Sequence, residues 1–240
     1  MAILQDQTLE FRNLGRLDWD AAAREQERVA EALTRGECPA TVLFVEHDPV
    51  YTYGLRFRRE NFRLRFDPAQ SSYCGVPVRR AFRGGELTHH GPGQLVVYPI
   101  MCLARGGHTL RRLIDLYQDI VIEVLRELRI AGFARPDAIG VWTERGKIAS
   151  IGVGLRRGVT RNGFAINVSV DSKAFEPIVP CGRPEPIANI NDFVTNPQAA
   201  IRDPQSAIKR ISVDDVRALV EKHFIRLGTA FLPRREDILP

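Results

Sequence analysis

Between Ile139 and Val168 three apolar, β-branched runs follow one another with only short turns between them: Ile139–Thr143, Lys147–Leu155 and Val159–Val168. Runs this short, bounded by turn residues such as Glu144-Arg145-Gly146, read as strands. A parallel pair needs a crossover of a dozen or more residues, so strands joined this closely must be antiparallel neighbours. Thr41–Glu46, Val76–Ala81 and Leu95–Cys102 add further strands, while residues 54–75 read as a basic loop. The clustering of strands in the middle of the chain excludes a doubly wound alternation. It predicts an α+β fold: a mixed, mostly antiparallel sheet with a few packed helices.

Asp18 is a natural N-cap for a helix carrying Trp19, Ala22, Val29, Ala30 and Leu33 at helical spacing and stopping near Gly36. The longest helix is expected over Gly107–Gly132, with Leu110, Leu113, Ile114, Tyr117, Ile120, Val121, Val124, Leu125 and Leu128 as its apolar stripe and Gly132 as its end. A short helical piece and a proline-rich loop follow over Asp171–Pro186, and residues 191–211 are polar and irregular. A last helix starts at Ser212, with Asp215 completing a capping box. No apolar run approaches the ~20 residues of a membrane span. Met1 to Gly15 carries charges and no apolar segment of a secretory signal, so a cytoplasmic location is expected.

Cys38, Cys74, Cys102 and Cys181 are far apart and contain no Cys-x-x-Cys pair, which argues against a zinc knot or a redox dithiol. The net charge of +5 is dominated by arginine, clustered at Arg56/Arg58/Arg59, Arg79/Arg80/Arg83, Arg111/Arg112 and Arg156/Arg157/Arg161. Such clusters are either solvated faces or a surface for an acidic partner.

Three segments carry chemistry. In Arg83–Gln94 (RGGELTHHGPGQ) the glycines cost a strand stability unless backbone must approach something closely. Glu86, Thr88 and His90 alternate onto one face of an extended chain and His89 points to the other, so the two histidines cannot jointly hold a metal. The segment is either a ligand-approaching loop or a glycine-rich turn with a structural histidine. Gly140–Gly152 has the wrong spacing for a nucleotide P-loop, and Ile148 stands where Ser or Thr would hold magnesium. Lys147 opens an apolar strand, so its ammonium must be paired if its stem is buried. In Val179-Pro180-Cys181-Gly182, proline and glycine fix a tight backbone around one thiol. An ordinary cysteine is only about 3% thiolate at pH 7, and a nearby ammonium would raise that fraction.

Together these segments resemble the lipoyl(octanoyl) transferases, the lipoate-protein ligase B family. His47, Pro49, Val50, Thr52 and Gly54 are similar to H-x-P-V-x-T-x-G, and Arg83–Gln94 to R-G-G-x-x-T-x-H-G-P-G-Q. Gly140–Gly152 resembles G-V-W followed by K-I-A-x-I-G-V. Gly163, Phe164, Ala165 and Asn167 match G-F-A-L-N. Asp171, Phe175, Ile178 and Pro180-Cys181-Gly182 match D-x-x-x-F-x-x-I-x-P-C-G.

The resemblance implies the fold of the biotin and lipoate protein ligase catalytic domain. It implies a single acyltransferase domain over 1–240, with its motif-bearing core at about 40–190 and a helical extension at about 191–240. Cys181 would take an octanoyl or lipoyl group from acyl carrier protein as a thioester. Lys147 would tune or deprotonate the thiol, the two groups sharing one proton. The acceptor would be a lysine of a lipoyl domain of 2-oxoacid dehydrogenases or of glycine cleavage H protein. Arg83, Gly84, Gly85, Glu86, Leu87, Thr88, His89, His90, Ser150, Ile151, Gly152, Gly163, Phe164 and Ala165 would line the acyl pocket. A thioester is already activated, so no ATP, metal or other cofactor is implied, and neither nucleic acid nor membrane is an expected partner. The sequence departs from the family at Asn162, where histidine is usual, at His89, where an aromatic is usual, and along Arg183–Ile190. An ATP-dependent lipoate or biotin ligase of the same fold is the alternative; it would need no cysteine.

Overall fold

A computed structural model describes residues 9–58, 71–103, 108–178, 186–194 and 210–228. Among these, a seven-stranded sheet runs in the order β1-β2-β7-β11-β10-β9-β8 and a four-stranded one in the order β4-β5-β3-β6. The large sheet comprises β1 (Leu9–Leu17), β2 (Ala40–His47), β7 (Gln94–Ile100), β8 (Phe133–Arg135), β9 (Ala138–Thr143), β10 (Gly146–Arg156) and β11 (Val159–Asn167). The small sheet comprises β3 (Val50–Tyr53), β4 (Ser72–Tyr73), β5 (Val76–Arg80) and β6 (Leu87–His90). Among the strands described, β1 with β2 and β3 with β5 pair in parallel, and an isolated parallel bridge joins Lys147 to Ile187. The fold is the mixed, mostly antiparallel α+β arrangement that the sequence predicts.

The large sheet is covered on both faces, which is why its central strands are apolar throughout rather than alternating. In β7, Leu95 and Val97 join a core with helix α2 (Leu110–Glu127), while Val96, Tyr98 and Ile100 join a core with helix α1 (Trp19–Arg35). Asp18 caps α1 by accepting from Ala21 N, and Gly36 ends it at φ 74°. The final described helix, Val213–His223, carries the full Ser212/Asp215 capping box and lies on the α2 side. A third cluster, with Tyr51, Val78, Leu87, Phe175 and Ile178, holds the small sheet to the 3-10 turn Ser172–Phe175.

The structure corrects several expectations. Helix α2 stops at Leu128, well before Gly132, because Arg129 adopts φ 59° and Ile130 N bonds back to Leu125 O at 2.8 Å. Leu110 is exposed, while Leu116 joins the buried stripe. Strand β1 occupies a stretch in which no strand is expected. It shifts register between Asn13 and Arg16, so Leu9 and Phe11 pack into the α2-side core and Leu14 and Leu17 into the α1-side core. That bulge destroys the period of two by which a half-buried strand is recognised.

Tyr117 is fully buried in α2 between Phe164 and Phe224, at 5.1 and 6.2 Å between ring centroids, and its hydroxyl meets no hydrogen-bond partner among the described residues. An unsatisfied buried hydroxyl contributes nothing beyond its desolvation cost. Tyr117→Phe is therefore expected to leave stability unchanged or raise it by about 1 kcal/mol in urea unfolding. A loss of that size instead would show that the hydroxyl is bonded in solution.

Candidate active site

A cleft of about 580 Å³, its open mouth included, lies between the two sheets. On the large sheet, β10 and β11 place Ser150 opposite Ala165 and Gly152 opposite Gly163. Four small residues on two paired strands leave a shallow trough, extended by Val96 and Tyr98 of β7. The small sheet and its entry loop face it with Thr52, Arg83, Gly85, Leu87, Thr88 and His90, and Trp19 and Asn162 also border it. A narrow slot with largely apolar walls suits an unbranched aliphatic chain.

Polar groups in this slot are fixed by buried hydrogen bonds. Arg83 sends Nη2 to both Thr52 O and Thr52 Oγ1 at 2.8 Å, and Nη1 to Gly84 O at 3.1 Å. His47 donates from Nδ1 to Leu17 O at 3.0 Å, so its Nε2 accepts from Tyr98 Oη at 2.8 Å. His90 Nδ1 donates to Gln94 Oε1 at 2.6 Å, Gln94 Nε2 donates to Asn167 Oδ1 at 2.8 Å, and Asn167 Nδ2 reaches Lys147 O at 3.4 Å and Ala188 O at 3.2 Å. This relay ties β6 to β10 across the sheet. Burial pushes His90 well below its ordinary pKa, with the neighbouring His47 adding to the effect, and burial also lowers His47. Both rings are neutral at pH 7.

Lys147 lines the slot, 6% exposed, with Nζ 5.1 Å from the centre of the Trp142 ring. Register shifts between Lys147 and Ala149 as β10 pairs with β9. A Cβ on Gly140 (φ 147°) would stand 2.7 Å from Lys147 Cε, and one on Gly146 (φ 132°) would stand 2.2 Å from Pro186 O. Those two glycines let the lysine stem and a second chain segment come close. Lys147 N donates to Pro186 O at 2.9 Å and Lys147 O accepts from Ala188 N at 3.0 Å. The described chain before this segment ends at Ile178, buried in the third cluster.

Of the residues singled out in the sequence, Lys147, Arg83, Gly85, Leu87, Thr88, His90, Ser150, Ile151, Gly152, Gly163, Phe164 and Ala165 line this one cleft. Gly84 and Glu86 belong to the same loop through their backbones: Gly84 N donates to Val153 O, and Glu86 O accepts from Gly54 N. His89 faces away and packs edge-on between Tyr51 and Phe175, at 5.2 and 5.4 Å. Cys181 lies outside the described residues. Trp19, Val96 and Tyr98 were not anticipated, since an apolar residue in a core strand or a helix start carries no signal of a cleft. Among the described residues no cluster of three or more His, Cys, Asp or Glu is arranged to hold a metal. No described helix is long and apolar enough to cross a membrane.

Residues 20–225 match the lipoyl protein ligase A/B catalytic domain family. An octanoyltransferase of Geobacter metallireducens is 44% identical over 172 residues, covering 72% of this chain and 76% of that protein. One from Pelobacter propionicus is 37% identical over 224 residues, covering 93% and 97%. Among solved structures, lipoate-protein ligase A bound with ATP superposes with a TM-score of 0.64 at 16% identity, covering 93% of this chain and 86% of that one. A bipartite lipoate protein ligase from Thermoplasma acidophilum gives 0.63 at 19%, covering 92% and 84%. At these identities the structural likeness establishes the fold alone.

Burial holds the His89 pKa down to about 4 from an ordinary 6.5. The unfolded chain takes up this proton more readily than the folded one, so the stability is complete above about pH 6.5 and is lost as pH falls towards 4. His89→Phe, which keeps the ring contacts, is expected to lose about 2 kcal/mol less than wild type between pH 7 and pH 5 in urea unfolding. Parallel losses in the two proteins would contradict the burial of a neutral ring there.

Proposed function

The chain belongs to the lipoyl(octanoyl) transferases, within the lipoyl protein ligase A/B catalytic domain family, and on that premise we propose that it carries an octanoyl group from acyl carrier protein, by way of Cys181, to the lysine of a lipoyl domain. The observation that carries this reading is the placement of Lys147. A buried lysine side chain lines a largely apolar slot. Its backbone is hydrogen-bonded to the Pro186–Ala188 segment, which enters five residues after Cys181.

In the proposed reaction the Cys181 thiol gives up its proton with Lys147 as the accepting or polarising group. The sulfur attacks the thioester carbonyl, the carrier thiol departs with a proton, and the octanoyl group rests on Cys181 Sγ. The acceptor lysine amine then attacks that thioester, forming an amide and regenerating the thiol. Two half-reactions through a covalent intermediate give ping-pong kinetics. Both steps start from a thioester, so neither ATP nor a metal is required. The trough of Ser150, Gly152, Gly163 and Ala165 takes the acyl chain, with Arg83, Leu87 and Thr88 over it. Arg56 and Arg58 are exposed, and Arg56 N bonds to Gly85 O at the lip of the cleft, which suits an acidic donor protein. Arg156 and Arg161 are turned instead towards Glu27, and Arg79 towards Asp20.

Intact mass spectrometry after incubation with octanoyl-acyl carrier protein is expected to show an octanoyl adduct on wild type and none on Cys181→Ser. A lipoyl-domain lysine peptide should discharge the adduct. Lys147→Met should slow loading by roughly 10²–10⁴-fold, the usual worth of a positioned proton-transfer group. Activity that survives Cys181→Ser and needs ATP would identify a ligase instead.

A further inference from the structure

Asn162 stands in the middle of β11 with φ 57°, a left-handed backbone inside a strand whose pairing with β10 continues on either side. Most side chains avoid this conformation, whereas asparagine and histidine tolerate it. Its backbone N–H donates to Oε1 of the buried Gln26 on α1 at 2.9 Å, and its side-chain Nδ2 donates to Phe82 O at 2.9 Å.

Phe82 begins the loop that carries Arg83 and Gly85 over the cleft. Its ring is 49% exposed, so burial of this side chain does little to hold the loop down. Hydrogen bonds do that instead: Arg83 and its neighbours bond to Thr52, Leu55 and Arg56 on the small-sheet side, and on the large sheet the loop is held at two facing positions of the strand pair, Asn162 to Phe82 O, and Val153 O from Gly84 N at 2.9 Å, with Val153 directly opposite Asn162. The gap beneath the loop has no slack. A Cβ on Gly152 would stand 3.0 Å from Arg83 Cδ and 3.2 Å from Gly84 O. A small lift of the loop therefore changes the height of the slot over Gly152.

We propose that Asn162 is a positioning residue that clamps the Phe82–Gly85 loop over the cleft and thereby sets which acyl chains the enzyme accepts. The chain-length consequence rests on the transferase reading; the clamp does not.

The test compares wild type with Asn162→Gly, which keeps the left-handed backbone but lacks the donor, and Asn162→His, which tolerates that backbone and offers a ring N–H. Hydrogen–deuterium exchange reads the Gly84 amide, and loading kinetics are measured with hexanoyl, octanoyl and decanoyl thioesters of acyl carrier protein. For Asn162→Gly, exchange at Gly84 is expected to quicken by roughly tenfold, about the factor of one hydrogen bond. KM for octanoyl loading should rise by a similar factor with kcat nearly unchanged, and the preference for octanoyl over decanoyl should shrink. Asn162→His should restore both. Unchanged exchange and unchanged preference in the glycine variant would overturn the proposal. So would an equal loss of kcat for every chain length without rescue by histidine, which is the behaviour of a merely structural residue. If wild type loads no acyl group at all, the transferase reading fails, and the exchange result decides the clamp by itself.

Discussion

The backbone of Lys147 is held from two sides, and the cleft is organised around that. Its N–H and C=O are taken by Pro186 and Ala188, and its carbonyl is also approached by the Asn167 amide at the end of a relay that begins at His90. A cationic side chain in a largely apolar wall is costly unless it is paired and hydrogen-bonded. Here the strand is pinned before the side chain leaves it, and the stem then crosses the bare backbone of Gly140 to lie against Trp142. Loosening any of these contacts would let the ammonium drift towards water. The motif residues Gln94, Gly140 and Asn167 are thereby accounted for by their contacts with this one lysine or with the relay that reaches it, and Gly146 leaves room for Pro186.

Much of the fold was legible because the central strands are covered on both faces and so read as unbroken apolar runs. The middle of β2, β7, β10 and β11 falls where the sequence places it, as do the caps at Asp18 and Ser212. Illegible elements share a physical cause, the absence of a local period. Strand β1 changes face at its bulge, β8 has three residues, and in the small sheet, where β5 was legible as an apolar run, β3, β4 and β6 have only two to four residues each. The end of α2 was missed because an arginine, not a glycine, takes the left-handed turn.

The cleft was legible residue by residue but not as a shape. Alternation separated His90 from His89 correctly in direction, and the structure puts the first on the slot and the second in an aromatic cluster. What the sequence could not display was the pairing of Ser150 with Ala165 and of Gly152 with Gly163, which turns four unremarkable small residues into one trough. Nor could it show that Tyr98, more than fifty residues from His47, supplies the proton shared between them.

The contacts between Lys147 and the Pro186–Ala188 segment are made entirely through main-chain atoms. Main-chain bonds do not read side-chain identity, so these bonds alone set few residue types; burial sets the others, with Ala188 in the α2-side core and Ile187 packed on the third cluster. Position 188 must keep an N–H, which forbids proline there, residue 146 must stay without a Cβ, and Asn189 holds Val170 through both ends of its side-chain amide. Substitution is thus tolerated more readily at the exposed Pro186 than at Ala188, Asn189 and Ile190, whose side chains are sealed into the body of the fold beside the lysine's strand.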